Sequence, residues 1–153
     1  MNNLITFISA TYNFLVNSWG LTLALIGFVA QKFFIPQILE YREILKRARY
    51  DVIYYANVYP FVDKDKKYIN EKYLDYAHKE LRVIGSRIRA HRENIPWYNV
   101  IAFTRLVPTY KNTELAATNF IAWSNDVYEA RPEAQSRQIS RKTIAKALGM
   151  KHY

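Results

Sequence analysis

The chain has 153 residues and a net charge of +9, from 22 Lys and Arg against 13 Asp and Glu. Aromatic residues reach 16% with only four Gly and five Pro, which excludes a disordered or low-complexity chain. The length allows one domain of modest size, yet all 35 charged residues lie at or after Lys32.

Residues 1–31 therefore carry no formal side-chain charge. Their apolar run is densest in WGLTLALIGFVA, from Trp19 to Ala30, and a window from Phe14 to Ile35 meets the roughly 20 residues needed to cross a bilayer core. Tyr12 and Trp19 suit one interface, and the stem of Lys32 reaches the other. No basic residue precedes the run and no small-x-small site follows it, so a cleaved signal peptide fits poorly. The reading is one transmembrane helix within an N-terminal segment, residues 1–35. A buried core helix, or a helix lying in the interface, is the alternative, because Asn13, Asn17 and Ser18 dilute the run.

Basic residues crowd only the C-terminal side of this span, as Lys32, Arg42, Lys46, Arg47 and Arg49. That asymmetry predicts a single-pass protein of the plasma (inner) membrane, with the N-terminus outside and the remainder cytoplasmic. The lack of Cys agrees with a reducing compartment. Gly20, Ala24 and Gly27 are spaced four and three apart and share one helix face. Small residues allow close helix–helix contact in lipid, with a second copy or with another membrane protein.

Residues 36–130 read as a small helical bundle. Pro36 is expected to break or kink the chain. Beyond it Ile38, Tyr41, Leu45, Ala48, Val52, Tyr55 and Tyr59 recur in steps of three and four, the mark of one buried helical stripe. Glu40, Glu43, Lys46, Arg47 and Asp51 take the opposite face, and Pro60 ends the helix before a charged loop. A second stripe runs Leu74, Ala77, Leu81, Ile84, Ile88, His91 and Ile95, with Asn70 as N-cap and Pro96 as stop. A short third helix is expected in WYNVIAFTRL. A fourth begins after Asn112, with Leu115, Ala116, Asn119, Ala122, Trp123 and Val127 on one side. These stripes suit an antiparallel bundle, or equally a coiled coil between chains.

Residues 131–153 form a basic tail, six basic residues against Glu133. Its TIAKALGM string resembles the first helix and turn of a helix-turn-helix, but only four residues follow Gly149, too few for a reading helix. Arg137, Arg141, Lys142, Lys146 and Lys151 are instead expected to meet anionic lipid headgroups, each contributing about 1 kcal/mol near the surface. Nucleic acid is the alternative partner of this tail.

Nothing in the sequence assembles a catalytic constellation. His78, His91 and His152 form no HExxH pair, and no Gly-rich phosphate loop occurs. Asp63 and Asp65 are surrounded by Lys64, Lys66 and Lys67, which oppose a divalent metal. No enzyme, cofactor or metal site is expected. Thirteen Tyr, several of them in RYDVIYYANVYP, fit bundle packing with hydroxyls at the rim, or a protein contact.

Taken together, YxxIxYANVY (Tyr50–Tyr59), ELRxxxxxxRA (Glu80–Ala90), IPxY (Ile95–Tyr98) and FIxxSN (Phe120–Asn125) resemble segments of small bacterial single-span membrane proteins. The resemblance covers about residues 36–127. It implies a membrane location and a bacterial or phage source, and it carries no activity. The expected architecture is all-α: one transmembrane helix followed by a small cytoplasmic helical bundle. The expected role is a membrane-anchored interaction or accessory protein that binds a protein partner or an anionic membrane surface. A membrane-tethered nucleic-acid-binding protein is the alternative.

Overall fold

Helix α1 spans Asn2–Val29, a stretch free of charge and of Pro in which Leu is the commonest residue. Hydroxyl groups within it are satisfied by the helix itself. Ser18 Oγ donates to the Phe14 carbonyl at 2.6 Å and Thr22 Oγ1 to the Ser18 carbonyl at 2.8 Å. In the computed structural model, which describes residues 2–58, 60–61, 68–128 and 134–150, the chain is all-α and no strand occurs among those residues. It divides into two units, residues 1–36 and 37–153.

The first unit ends in a π-helical stretch, Ala30–Phe34, in which the Ile35 N–H donates to the Ala30 carbonyl five residues back. Helix α2, Ile35–Tyr54, begins directly after it. Pro36 is thus the second residue of α2 and interrupts no helix. A proline ring clashes with the carbonyl four residues before it, and the wider π turn makes room for the ring.

In the second unit α2 buries Tyr41, Leu45, Ala48 and Val52, the expected stripe, and passes into a 3-10 turn at Tyr55–Asn57. The regular helix thus ends six residues before Pro60, and Tyr59 lies outside the described residues. Helix α3, Glu71–Glu93, buries Leu74, Ala77, Leu81, Ile84 and Ile88. Asn70 precedes it, but its side chain does not cap α3: Asn70 Oδ1 accepts the Phe61 N–H at 3.0 Å and secures the preceding turn. Helix α4 is short, Tyr98–Phe103.

Helix α5, Tyr110–Asp126, starts earlier than expected because Thr109 caps it, its hydroxyl accepting the Asn112 N–H. Its buried face is Thr113, Ala116, Ala117, Phe120, Trp123 and Ser124. Leu115 and Ala122, expected inside, are exposed. The helix is rotated toward α3, where Gly85 lets the two backbones close together. Helix α6, Ala134–Ala147, packs on α5. It ends in a Schellman turn: Met150 N–H reaches the Ala145 carbonyl at 2.9 Å, and Gly149 sits at φ 70°. Residues 131–153, read as a tail, thus contribute Ile144, Ala147 and Leu148 to the same core as α2, α3 and α5.

A line of hydroxyls ties three helices together inside that core. Tyr98 OH lies 2.7 Å from the Pro108 carbonyl and 2.7 Å from Thr113 Oγ1, and Tyr41 OH lies 3.2 Å from Thr113 Oγ1. A carbonyl can only accept, so Tyr98 donates to Pro108, Thr113 donates to Tyr98, and Tyr41 donates to Thr113. Burial pushes the Tyr41 hydroxyl well above its ordinary range and keeps it a donor. Every proton in the line has a place, which joins α2, α4 and α5 without an orphaned buried group.

Candidate membrane-facing and anion-binding surfaces

The described large apolar side chains of α1 lie on its surface. Trp19, Leu21, Leu23, Leu25, Ile26 and Phe28 are all exposed, Leu21 at 74%. Among the described residues one helical stretch is long and apolar enough to cross a membrane, by length and composition. Gly20, Ala24 and Gly27 share one side of α1, and a Cβ at either glycine would meet nothing within 4 Å. That face has room for a second helix.

Residues expected to contact lipid from the C-terminal segment fall into two groups. Arg141 Nη1 donates to the Ala56 carbonyl at 2.9 Å and Arg137 Nη1 to the Val58 carbonyl at 3.4 Å. Both guanidiniums thus cap carbonyls left open where the 3-10 turn ends, and Arg141 also lies 6.0 Å from the Trp123 ring. Lys142 and Lys146 are exposed. Lys151 lies outside the described residues.

Lys146 borders a cleft of about 400 Å3 that spacing along the chain does not foretell. Four cations line it: Arg42 and Arg49 from α2, Arg105 after α4, and Lys146 from α6. Among the described residues no Asp or Glu lines it. Arg49 is engaged, its Nε and Nη2 donating to the Leu148 carbonyl at 3.1 and 2.8 Å. Arg42, Arg105 and Lys146 make no ion pair among the described residues. Arg105 stands at φ 62°, in the position after a helix C-cap that glycine ordinarily takes. A left-handed arginine costs roughly 1 kcal/mol of backbone strain. An acid-free cleft of this kind suits an anion with several acceptor oxygens.

The two described histidines each contact a neighbouring helix. His78 Nδ1 donates to the Ser124 carbonyl at 2.7 Å, joining α3 to α5. His91 Nδ1 lies 3.7 Å from Glu40. Among the described residues no three His, Cys, Asp or Glu converge on a metal position.

Asp51, expected on the solvated face of α2, is 5% exposed. Its Oδ2 has no hydrogen-bond partner, and Arg47 Nε is 3.9 Å away. Burial pushes its carboxyl up to about 6, with Arg47 opposing and Glu80 reinforcing the rise. The folded value exceeds the unfolded one of 3.8, so the stabilising contribution is complete below that value and is lost as pH rises through about 6. Asp51→Asn is therefore expected to stabilise the fold by about 2 kcal/mol near pH 8 and to do little near pH 4. Urea unfolding at the two pH values checks this, and a variant destabilised at both would contradict it.

Comparisons with protein-family models, with curated proteins and with solved structures find no match to this chain.

Proposed function

We propose that the chain is a single-pass membrane-anchored interaction module. In this reading α1 spans the plasma (inner) membrane with its N-terminus outside, and residues 36–150 form a helical bundle on the cytoplasmic side. The observation that carries the reading is the apolar surface of α1, a charge-free helix whose described large apolar side chains, Trp19 to Phe28, are exposed. Exposed Leu, Ile and Phe at this density favour lipid over water, at about 25 cal/mol per Å2 removed from water.

The module has two kinds of partner on offer. A second copy or another membrane protein would pack on the Gly20, Ala24 and Gly27 face of the span. An anionic leaflet would meet Lys142 and Lys146. Lipid is preferred to nucleic acid as the target of the C-terminal segment, because α6 is seated in the core and two of its arginines bind backbone carbonyls.

The chain has no Cys, so single cysteines report topology directly. A cysteine at position 3 is expected to react with a membrane-impermeant maleimide in intact cells. Ile139→Cys, exposed on α6, is expected to react only after permeabilisation. Labelling of both in intact cells would overturn the orientation.

A further inference from the structure

Helix α4 turns its apolar side outward. Trp97 is 75% exposed, Phe103 is 89% exposed, and Val100 and Leu106 are exposed with them. This is an odd place to leave four large apolar side chains, since Tyr98 between them is drawn into the core. The backbone is strained on both sides of the helix, with Trp97 at φ 53° and Arg105 at φ 62°. Non-glycine residues persist there only where the surroundings hold them, and such strain gathers at sites of function. Leu106 also lines the acid-free cleft that Arg42 and Arg105 border. An apolar rim and a cationic pocket thus meet within a few residues.

We propose that the α4 segment is a second membrane contact. Trp97, Val100, Phe103 and Leu106 enter the headgroup–acyl boundary of an anionic bilayer, and the cleft of Arg42 and Arg105 takes a lipid phosphate. Three features favour lipid as the occupant. Trp and Phe beside Arg are the composition of interfacial segments. The charge of the cleft complements phosphate, and its size suits a headgroup. The third is the tether. Arg42 is seven steps along the chain from Ile35, the end of the apolar stretch, and even fully extended those steps span at most about 25 Å. The inference rests on the anchoring reading, which keeps the cleft close to a bilayer, and it adds the α4 segment to the lipid contact proposed for Lys142 and Lys146.

The full chain in vesicles provides the test, because its lack of Cys lets one nitroxide be placed at Phe103→Cys or, as anchor control, at Leu25→Cys. In phosphatidylcholine vesicles containing phosphatidylglycerol, the label at position 103 is expected to be reached by oxygen in preference to a water-soluble nickel complex. Adding Arg42→Gln and Arg105→Gln is expected to lower the ratio of docked to undocked segment about thirtyfold, from two charges near an anionic surface. A label in water at position 103 with one in lipid at position 25 would overturn the second contact and leave the anchor standing. Labels in water at both positions would overturn the anchor itself. Shielding at position 103 from both oxygen and nickel, whatever the lipid, would assign the surface to a protein contact instead. Lipid contact unchanged by the two glutamines would remove the phosphate site. Pyrophosphate binding to the cleft while position 103 stays in water would assign the cleft to a soluble phosphate and overturn the lipid contact.

Discussion

Gly85→Val is expected to destabilise the second unit by about 3 kcal/mol and to lower its melting temperature by roughly 10 °C. A Cβ on Gly85 would lie 2.9 Å from the Ala117 carbonyl oxygen and 3.1 Å from Phe120 Cβ and Ile121 Cγ1. The first of these is backbone and the second is fixed to it, so neither can swing aside as a long side chain would. Alanine gains about 1 kcal/mol over glycine in a helix interior. Overpacking costs about 1–3 kcal/mol and acts in the opposite direction. The clash wins: Gly85→Ala should lose about 1 kcal/mol, and the two further methyl groups of valine should reach the upper end. Thermal unfolding of the two variants checks the order. An alanine variant that melts higher than the parent would show that α3 and α5 do not close on Gly85.

Glu114→Ala is expected to cost about 2–3 kcal/mol, for an electrostatic reason. Arg92 is 3% exposed and holds its charge through Glu114, whose Oε2 accepts from Arg92 Nη1 at 2.6 Å. Glu114 Oε1 accepts from Arg89 Nη2 at 2.5 Å, and the Arg92 guanidinium lies 3.9 Å from the Tyr110 ring centroid. Truncating Glu114 leaves a buried cation with the exposed Glu93 as its remaining acidic contact. Removing one partner of a fully buried pair costs about 3–5 kcal/mol, and the figure is reduced here because Glu114 is 38% exposed. The hydrogen bonds from Arg92 and then Arg89 hold the Glu114 carboxyl below its ordinary range. Its contribution is therefore present above the unfolded value of 4.5 and is lost as pH falls through the lower folded value. Urea unfolding from neutral pH into the acid range should show the parent losing more stability than the variant. Equal acid sensitivity would contradict the assignment. Arg92→Met combined with Glu114→Leu should cost less than the sum of the single changes, because no charge is then left alone.

The α3 stripe was legible because apolar positions at steps of three and four face strongly charged ones: Leu74, Ala77, Leu81, Ile84, Ile88 and Ile95 are buried, whereas His91, placed on the same stripe, is half-buried. On α5 the expected stripe ran through Leu115, Ala116, Asn119, Ala122, Trp123 and Val127, and the buried face is turned from it. Contact with Gly85 selects the face through Ala117 and Phe120, so Leu115 is left outside. Such a choice is made by a neighbouring helix and leaves no mark in local spacing. Asp51 misled for a related reason: a carboxylate on a charged face reads as solvated, yet Tyr55 and Arg47 close over that part of α2.

The candidate surfaces were legible in unequal measure. Gly20, Ala24 and Gly27 follow from helical spacing once the apolar run is recognised. The C-terminal cations were visible as a cluster, but not that Arg137 and Arg141 would turn to the carbonyls of Val58 and Ala56. The cleft was hidden altogether, since Arg42, Arg105 and Lys146 lie far apart in sequence and only packing unites them. One local signal was present. In WYNVIAFTRL an arginine follows a short helix where glycine would relieve the turn, and Arg105→Gly is expected to raise thermal stability while weakening anion binding.

Everything above the fold depends on α1 lying in a bilayer, and alkaline carbonate extraction of native membranes tests that most directly. The intact chain should stay with the membrane pellet at high pH, where peripheral proteins held by charge are released. Leu25→Arg, which places a cation in the middle of the apolar helix at about 3 kcal/mol, should shift part of it to the supernatant. Complete release of the unaltered chain by carbonate would contradict the account.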